Sequence, residues 1–320
     1  MRVANSVSDP GPRAADDDPV VGRWIAATIA ADPPRARSLI VTVWGDAIAP
    51  HSGTLWLREL IGLMAALGVA ERSVRTSVYR LAADGWLRGE AQGRESRYRL
   101  TPAGAKQFAN AYRRIYFPHD DEWNGKWQVV IAPPETLSAR ERVALRNAFT
   151  WTGFGTLAPG LYIRPRGAHG EAIPAPIPVR RRLTVLDARD DAASGAASLT
   201  ASVAQAWDLR GLAANWRAYL GRFGRAIDHF RDGGRRNPSP RQCFVARTLL
   251  IHAFRRVLLR DPLLPAALLP LDWPGTAAYT LTRDFYRLVY RPADEYLAAM
   301  LGADFSAASS DFARRFGGLD

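Results

Sequence analysis

Residues 71–100 read ERSVRTSVYRLAADGWLRGEAQGRESRYRL, and the spacing of their apolar residues changes halfway along. In the first half, Val74, Val78 and Leu81 recur at intervals of three and four, so they share one face of a helix. After Gly85, a residue typical of helix C-termini, the spacing shortens to two, as in a β-strand. The stretch therefore predicts a helix that leads directly into a β-hairpin.

The segments on either side extend this pattern into a domain. Helical spacing over residues 38–44 and 54–67 predicts two further helices before the stretch. Thr101 and Pro102 predict another helix after it, because threonine caps helix N-termini and proline suits the first helical position. Three helices and a hairpin wing predict a winged helix-turn-helix domain over residues 35–118.

The rest of the chain predicts a tail and two further domains. Residues 1–34 are rich in Asp and Pro and predict a disordered tail, with a short helix at 21–30. The order β-α-β-β within residues 119–205 favours a ferredoxin-like α/β domain. Residues 206–320 are mostly of helical pattern. The predicted fold class is thus a multidomain α+β protein.

Composition excludes several classes of protein. The net charge of +12 suggests a polyanionic partner, but all except two of the 43 basic residues are arginine, a bias that a GC-rich genome also produces. A single cysteine excludes disulfide frameworks and cysteine-based zinc clusters, and the five scattered histidines show no metal-ligand spacing. We therefore expect no metal and no cofactor. The sequence has neither a signal-peptide pattern nor an apolar run long enough to span a bilayer, which predicts a cytoplasmic protein without a membrane partner.

The predicted helix and wing carry the residues expected of a DNA reader. Recognition helices place their first turns in the major groove, where Arg can bind guanine and Ser or Thr can bind several bases. On the helix we expect base contacts or phosphate contacts from Arg72, Ser73, Arg75, Thr76, Tyr79 and Arg80. On the wing we expect phosphate contacts from Arg94, Arg97 and Arg99. Solvated arginines in an arginine-rich protein are the alternative interpretation.

A second group of residues has the chemistry to hold an anionic, partly apolar ligand. It combines cations with a histidine, an acid and a tryptophan beside proline turns. Its members are His252, Arg255, Arg256, Arg260, Asp261 and Trp273. The alternative interpretation is a helix end with ordinary Arg–Asp ion pairs.

The chain also resembles a family, the PaaX-type repressors of phenylacetate degradation. The similar segments are residues 36–46 (ARSLIVTVWGD), 71–76 (ERSVRT), 85–87 (GWL), 98–101 (YRLT), 153–155 (GFG), 159–165 (PGLYIRP), 260–270 (RDPLLPAALLP) and 272–275 (DWPG). The resemblance implies a dimeric bacterial repressor that dimerises through the ferredoxin-like domain and leaves a palindromic operator when an aryl-acyl-CoA such as phenylacetyl-CoA binds. It places Arg72, Arg75 and Thr76 in the recognition helix and makes His252, Arg255, Arg256, Arg260 and Asp261 candidates for the effector response.

The sequence departs from related proteins at two places. Ala253 stands where the family usually has an acidic residue after the histidine. The middle domain also resembles small CRISPR-associated nucleases, which need an Asp near the end of the first strand, whereas residues 131–133 are Ile-Ala-Pro. Nuclease activity is therefore not expected.

Two other functions remain open at this point. One is an acyl-CoA-handling enzyme that carries a winged helix, although we find no nucleophile elbow and no acid–base pair. The other is a DNA-binding activator that takes no small ligand. We expect a regulator that is not an enzyme.

Overall fold

The computed structural model of the protein describes residues 17–93, 95–117, 123–166, 173–189, 196–231 and 237–319. Contacts divide the chain into two compact units. The first comprises residues 1–117, 220–254 and 279–320, and the second comprises residues 118–219 and 255–278.

This division differs from the three consecutive domains that the sequence predicts. Residues 206–320, predicted as one helical domain, are shared between the two units. The reason lies in long-range burial. Arg247 is hydrogen-bonded to Asp46 inside the first unit, whereas Leu264 and Leu268 pack in a cluster with Trp127 inside the second.

The elements in chain order are as follows. The helices are α1 (Pro19–Ala31), α2 (Ala36–Val43), α3 (Leu57–Ala66), α4 (Glu71–Ala83), α5 (Pro102–Tyr116), α6 (Ala139–Trp151), α7 (Ile177–Arg180), α8 (Ala196–Trp207), α9 (Leu209–Phe223), α10 (Ala226–Arg231), α11 (Pro240–Leu258), α12 (Pro274–Leu301) and α13 (Ser310–Ala313). The strands are β1 (Thr54–Trp56), β2 (Leu87–Gln92), β3 (Glu95–Leu100), β4 (Lys126–Ile131), β5 (Gly155–Ala158), β6 (Leu161–Pro165) and β7 (Thr184–Arg189). A π-helical turn, Trp44–Ile48, follows α2.

Helices α2, α3 and α4 pack together in the first unit beside a small antiparallel sheet of order β1-β3-β2. The predicted helix over 71–83 is confirmed, and Gly85 follows it in the left-handed conformation at φ 73°. Residues 54–56, predicted as helix, instead form β1, because they pair with β3 in the register Thr54↔Arg99. The elements thus run helix, strand, helix, helix, hairpin.

The N-terminal segment differs from the predicted disordered tail. Residues 1–16 lie outside the described residues, but the short helix expected at 21–30 is present as α1. Asp18 caps it by accepting hydrogen bonds from the backbone N–H groups of Val20 and Val21 over 2.8 and 2.9 Å. Trp24 packs edge-on against Phe223 and Phe230 at ring distances of 5.9 Å. These aromatic contacts bury apolar surface. They explain why the segment forms a helix although its Asp- and Pro-rich composition predicts a disordered tail.

The second unit contains a sheet of order β5-β6-β4-β7 in which all neighbouring strands are antiparallel. This is the strand order of the split β-α-β arrangement that the sequence predicts. One buried cluster includes Phe149 of α6 and Phe154, and another includes Trp127 and Trp207. A side chain at Gly155 would lie within 2.6 Å of the Trp207 ring, so this close approach requires glycine.

The sequence predicts helices over residues 209–230, 279–290 and 293–301, and all three differ in extent in the structure. The helix expected over 209–230 is divided into α9 and α10, whereas those expected over 279–290 and 293–301 form one helix, α12, with Pro292 inside it. No helix in the described part of the chain is both long enough and apolar enough to cross a lipid bilayer.

Candidate nucleic-acid interface

Helix α4 separates its side chains into a buried face and an exposed polar face. Val74, Val78 and Leu81 are at most 2% exposed. The six helix residues expected to contact DNA all lie on the exposed face: Arg72, Ser73, Arg75, Thr76, Tyr79 and Arg80. The buried face anchors the helix, so the opposite face is free to meet a ligand as a preformed surface.

Two of these side chains are oriented by neighbours on the same helix. The Nε atom of Arg75 donates a hydrogen bond to Oε1 of Glu71 over 2.8 Å, one turn earlier. The hydroxyl of Thr76 donates to the carbonyl oxygen of Arg72 over 2.9 Å. Tyr79, on the same face, is 75% exposed.

Two of the hairpin arginines, Arg97 and Arg99, have carboxylate partners. Arg99 donates from Nε and Nη2 to Oε1 of Glu90, over 3.0 and 2.9 Å, across the β2–β3 pair. The side chain of Arg97 is less exposed than that of Arg99, and its Nη2 atom donates a hydrogen bond to Oδ1 of Asp304 over 2.8 Å. Arg94 lies outside the described residues. The structure therefore gives Arg97 a long-range partner that the sequence did not predict.

The six residues expected to bind an effector are divided between the two units. His252 belongs to the first unit, where Nδ1 of its buried ring is hydrogen-bonded to the Thr42 hydroxyl over 2.9 Å. Asp261 belongs to the second unit, where it is buried and accepts from Trp216 Nε1 over 2.7 Å and from the backbone N–H of Leu263. Both side chains are thus engaged inside the protein.

The other four predicted effector residues lie in the second unit. Arg256 and Arg260 are exposed, whereas Arg255 and Trp273 are partly buried. Arg256 and Arg260 are thus the most exposed members of the set.

Sequence reasoning missed a buried charge network around Asp46. Its Oδ2 accepts from Arg247 Nε over 2.7 Å, and its Oδ1 accepts from Arg315 Nη1 over 2.9 Å and from the hydroxyls of Tyr116 and Tyr286. The Asp46 backbone carbonyl, in the π-helical turn, accepts from both guanidinium groups over 3.0 and 3.1 Å. The sequence feature that could have indicated this network is Asp46 itself, an acidic residue within an otherwise apolar segment.

The electrostatics of this network keep the carboxylate charged. Burial acts to raise the pKa of Asp46, but Arg247, Arg315 and the hydrogen bonds outweigh it, so the pKa lies below its ordinary value of 3.8. Burial raises the pKa of the Tyr116 hydroxyl, which therefore stays protonated and donates. A second acid, Asp294, accepts from Arg247 Nη1 over 2.6 Å. Two carboxylates thus balance two guanidinium groups.

Cys243, the single cysteine of the chain, is buried on α11. Burial, with a smaller effect of Glu295, raises the pKa of its thiol to about 12. A thiol in this environment is a poor nucleophile, because the reactive species is the thiolate.

Comparisons with known proteins identify the family. The family profile described as PaaX-like protein matches residues 35–104, the PaaX protein central Cas2-like domain matches residues 120–199, and the PaaX-like protein C-terminal domain matches residues 207–299. Together they match most of the chain, which belongs to the PaaX family of transcription regulators.

One curated relative agrees with this assignment. The chain is 31% identical over 303 residues to "Transcriptional repressor PaaX" of Escherichia coli strain K12, covering 93% of this chain and 95% of that protein. It is also similar to the solved structure "Uncharacterized protein Rv0674 from Mycobacterium tuberculosis", at 25% identity and a TM-score of 0.49, covering 88% of this chain and 99% of that one. The resemblance found from the sequence is confirmed, and so is the expectation of a regulator rather than an enzyme.

Proposed function

We propose that this protein is a winged helix-turn-helix repressor that acts in the cytoplasm on an operon for the catabolism of phenylacetate or a related aromatic acid. The observation that carries the proposal is α4, whose exposed face presents three arginines, a serine, a threonine and a tyrosine while its apolar face is buried. A relative that covers nearly the whole chain is named a transcriptional repressor, which supports the same function.

In this proposal α4 enters the major groove of operator DNA. Arg72, Arg75 and Thr76 on its first turns contact base edges, and Tyr79 and Arg80 contact phosphates. The β2–β3 hairpin adds phosphate contacts through Arg94 and Arg99. A homodimer binds a palindromic operator whose half-sites lie about one helical turn, or a multiple of it, apart.

We further propose that an aryl-acyl-CoA releases the protein from DNA. Coenzyme A carries several phosphate charges, and arginine is the side chain best suited to bind phosphate. The exposed Arg256 and Arg260 are assigned to those phosphates. The buried His252 and Asp261 act through the conformation of their surroundings.

The test is binding of the purified protein to DNA from its own upstream region, at fixed salt, with and without phenylacetyl-CoA. We expect binding that resists competitor DNA and is lost when the thioester is added. Binding that is equally tight to unrelated DNA and disappears at moderate salt would contradict the repressor function, because it would reflect only the arginine excess. Specific binding that ignores the thioester would contradict the proposed effector alone.

A further inference from the structure

Asp304 occupies a cluster of hydrogen-bond donors beside the β1–β3 pair of the first unit. Arg97 Nη2 donates to its Oδ1 over 2.8 Å, and Trp56 Nε1 donates to its Oδ2 over 2.9 Å. Arg97 Nη2 also donates to the Thr54 hydroxyl over 2.8 Å. A guanidinium, an indole N–H and a hydroxyl on neighbouring strands form an anion-binding arrangement.

Asp304 satisfies this arrangement only in part. The Nε atom of Arg97 is buried and has no hydrogen-bond acceptor among the described residues. Asp304 uses one oxygen for Arg97 and the other for Trp56. A phosphate has enough oxygens to accept from both Nε and Nη2 of one arginine and from a neighbouring donor as well. The donor set therefore fits a phosphate more completely than it fits the carboxylate that fills it.

The segment that delivers Asp304, residues 302–309, is fixed to the first unit at three further points. His51 stacks on Phe305 at 4.0 Å between ring centroids, and its Nδ1 donates to the carbonyl oxygen of Ser306 over 2.8 Å. The backbone N–H of Ser309 donates to the carbonyl oxygen of Pro50 over 2.8 Å. We call residues 302–309 the C-terminal clasp.

We propose that Arg97, Trp56 and Thr54 form a binding site for a phosphate of the DNA backbone, and that Asp304 on the C-terminal clasp occupies this site and competes with DNA. The inference rests on the proposed DNA-binding function. It makes Asp304 an internal substitute for a phosphate, and it explains why a hairpin arginine is tied to a residue 207 positions later in the chain.

The experiment compares Asp304→Asn with the wild type in operator binding at several salt concentrations. The asparagine keeps one acceptor oxygen but removes the negative charge that holds Arg97. We expect several-fold tighter binding at low salt and a slope of log Kd against log salt that is steeper by about one, the change for one added phosphate contact. The double variant Asp304→Asn/Arg97→Ala should return to the wild-type slope. The matched control is Asp311→Asn, which removes an exposed carboxylate paired with Arg314 a few residues further on.

An unchanged slope in Asp304→Asn, or an equal gain in Asp311→Asn, would overturn the proposal. So would a gain that persists in the double variant, because Arg97 would then not be the group released. A wild-type protein that binds no operator would instead refute the proposed function, and that result is visible before any variant is compared.

A second measurement uses the wild-type protein, in case Asp304→Asn does not fold. The indole N–H resonance of Trp56, assigned with Trp56→Phe, reports directly on the hydrogen bond to Asp304. We expect it to shift when operator DNA saturates the protein. A resonance that stays in place in the saturated complex would show that DNA does not displace Asp304.

Discussion

Arg75, which we propose contacts a base, illustrates how a neighbouring side chain orients an exposed arginine. Its Nε atom is held by Glu71 one turn earlier, while the terminal nitrogens lie on the exposed face of α4. An arginine that binds guanine uses two nitrogens to reach O6 and N7, so an orientation fixed in advance reduces the entropy lost on binding. Arg75 is therefore the residue whose removal should have the clearest effect on specificity.

We predict that Arg75→Ala weakens operator binding by about 10- to 100-fold, the range expected when one bidentate base contact is lost. Binding to unrelated DNA should change much less. Fluorescence anisotropy with operator and scrambled duplexes measures both. Arg23→Ala on α1 removes the same charge from another exposed position and serves as the control. Equal losses in the two variants would mean that only total charge matters.

In contrast to the exposed Arg75, Asp46 carries a charge that is buried inside the protein. Arg247 and Arg315, at 1% and 0% side-chain exposure, have lost nearly all their hydration, and Asp46 is an acceptor that they share. Removing one partner of a buried ion pair leaves the other charge without compensation, which costs more than the pair itself contributes.

We predict that Asp46→Asn lowers the free energy of unfolding by about 3–5 kcal/mol. Urea denaturation monitored by circular dichroism measures the change, with the exposed Asp311→Asn as control. Because the pKa of Asp46 is lowered in the folded protein, its contribution is complete above the ordinary carboxyl pKa and is lost as the pH falls through the folded value. The variant should therefore show a shallower loss of stability below about pH 4. A variant as stable as the control would refute the role of this network.

At the level of elements, α1 shows how a segment of loop-like composition becomes ordered. Asp18 caps the helix with its side chain. Its backbone N–H donates to Oε1 of Gln242 over 2.8 Å, and its backbone carbonyl accepts from Nε2 of Gln242 over 2.7 Å. Trp24 contacts aromatic rings that come from α9, α10 and α12. The helix is thus a part of the first unit rather than an appendage.

We predict that Trp24→Ala destabilises the protein by roughly 1–3 kcal/mol, less than a fully buried tryptophan would, because the ring is only partly buried. A thermal unfolding curve should show a lower Tm, while the neighbouring Arg23→Ala should leave it unchanged. If Trp24→Ala leaves the Tm at the wild-type value, the N-terminal helix would be dispensable, as the composition suggests.

The contrast between α4 and Asp46 shows what the sequence can and cannot predict. The spacing of Val74, Val78 and Leu81 is local, so the helix and its exposed face follow directly from the residues around them. The partners of Asp46 lie 70, 201 and 269 residues away at Tyr116, Arg247 and Arg315, and no local pattern encodes such contacts. The Arg97–Asp304 pair escapes prediction for the same reason.

On the scale of the whole molecule, the division into two units constrains how the proposed effector can act. Arg256 and Arg260 lie in the second unit, whereas the residues proposed to read DNA lie in the first. An effector that binds in one unit and weakens DNA binding in the other must favour a different conformation of the protein, since binding affects an equilibrium only through differential affinity.

We predict that Arg256→Ala and Arg260→Ala keep wild-type operator affinity but require at least several-fold more phenylacetyl-CoA for release. Titration of the preformed protein–DNA complex measures this midpoint. Arg146→Ala, another exposed arginine of the second unit, is the control. If both variants are released at the wild-type thioester concentration, the phosphates bind elsewhere.

The state of Cys243 has a practical consequence for observing such a change. Burial raises the pKa of this thiol to about 12, so very little of it is ionised at neutral pH, and the burial also hinders maleimide reagents. A cysteine introduced on the surface, for instance by Gln92→Cys on the hairpin, would then be the thiol that takes up a fluorophore. The protein can thus be dye-labelled at a chosen site without first removing its own cysteine, and energy transfer between the two labelled protomers of the proposed homodimer would follow their separation as the proposed effector is added.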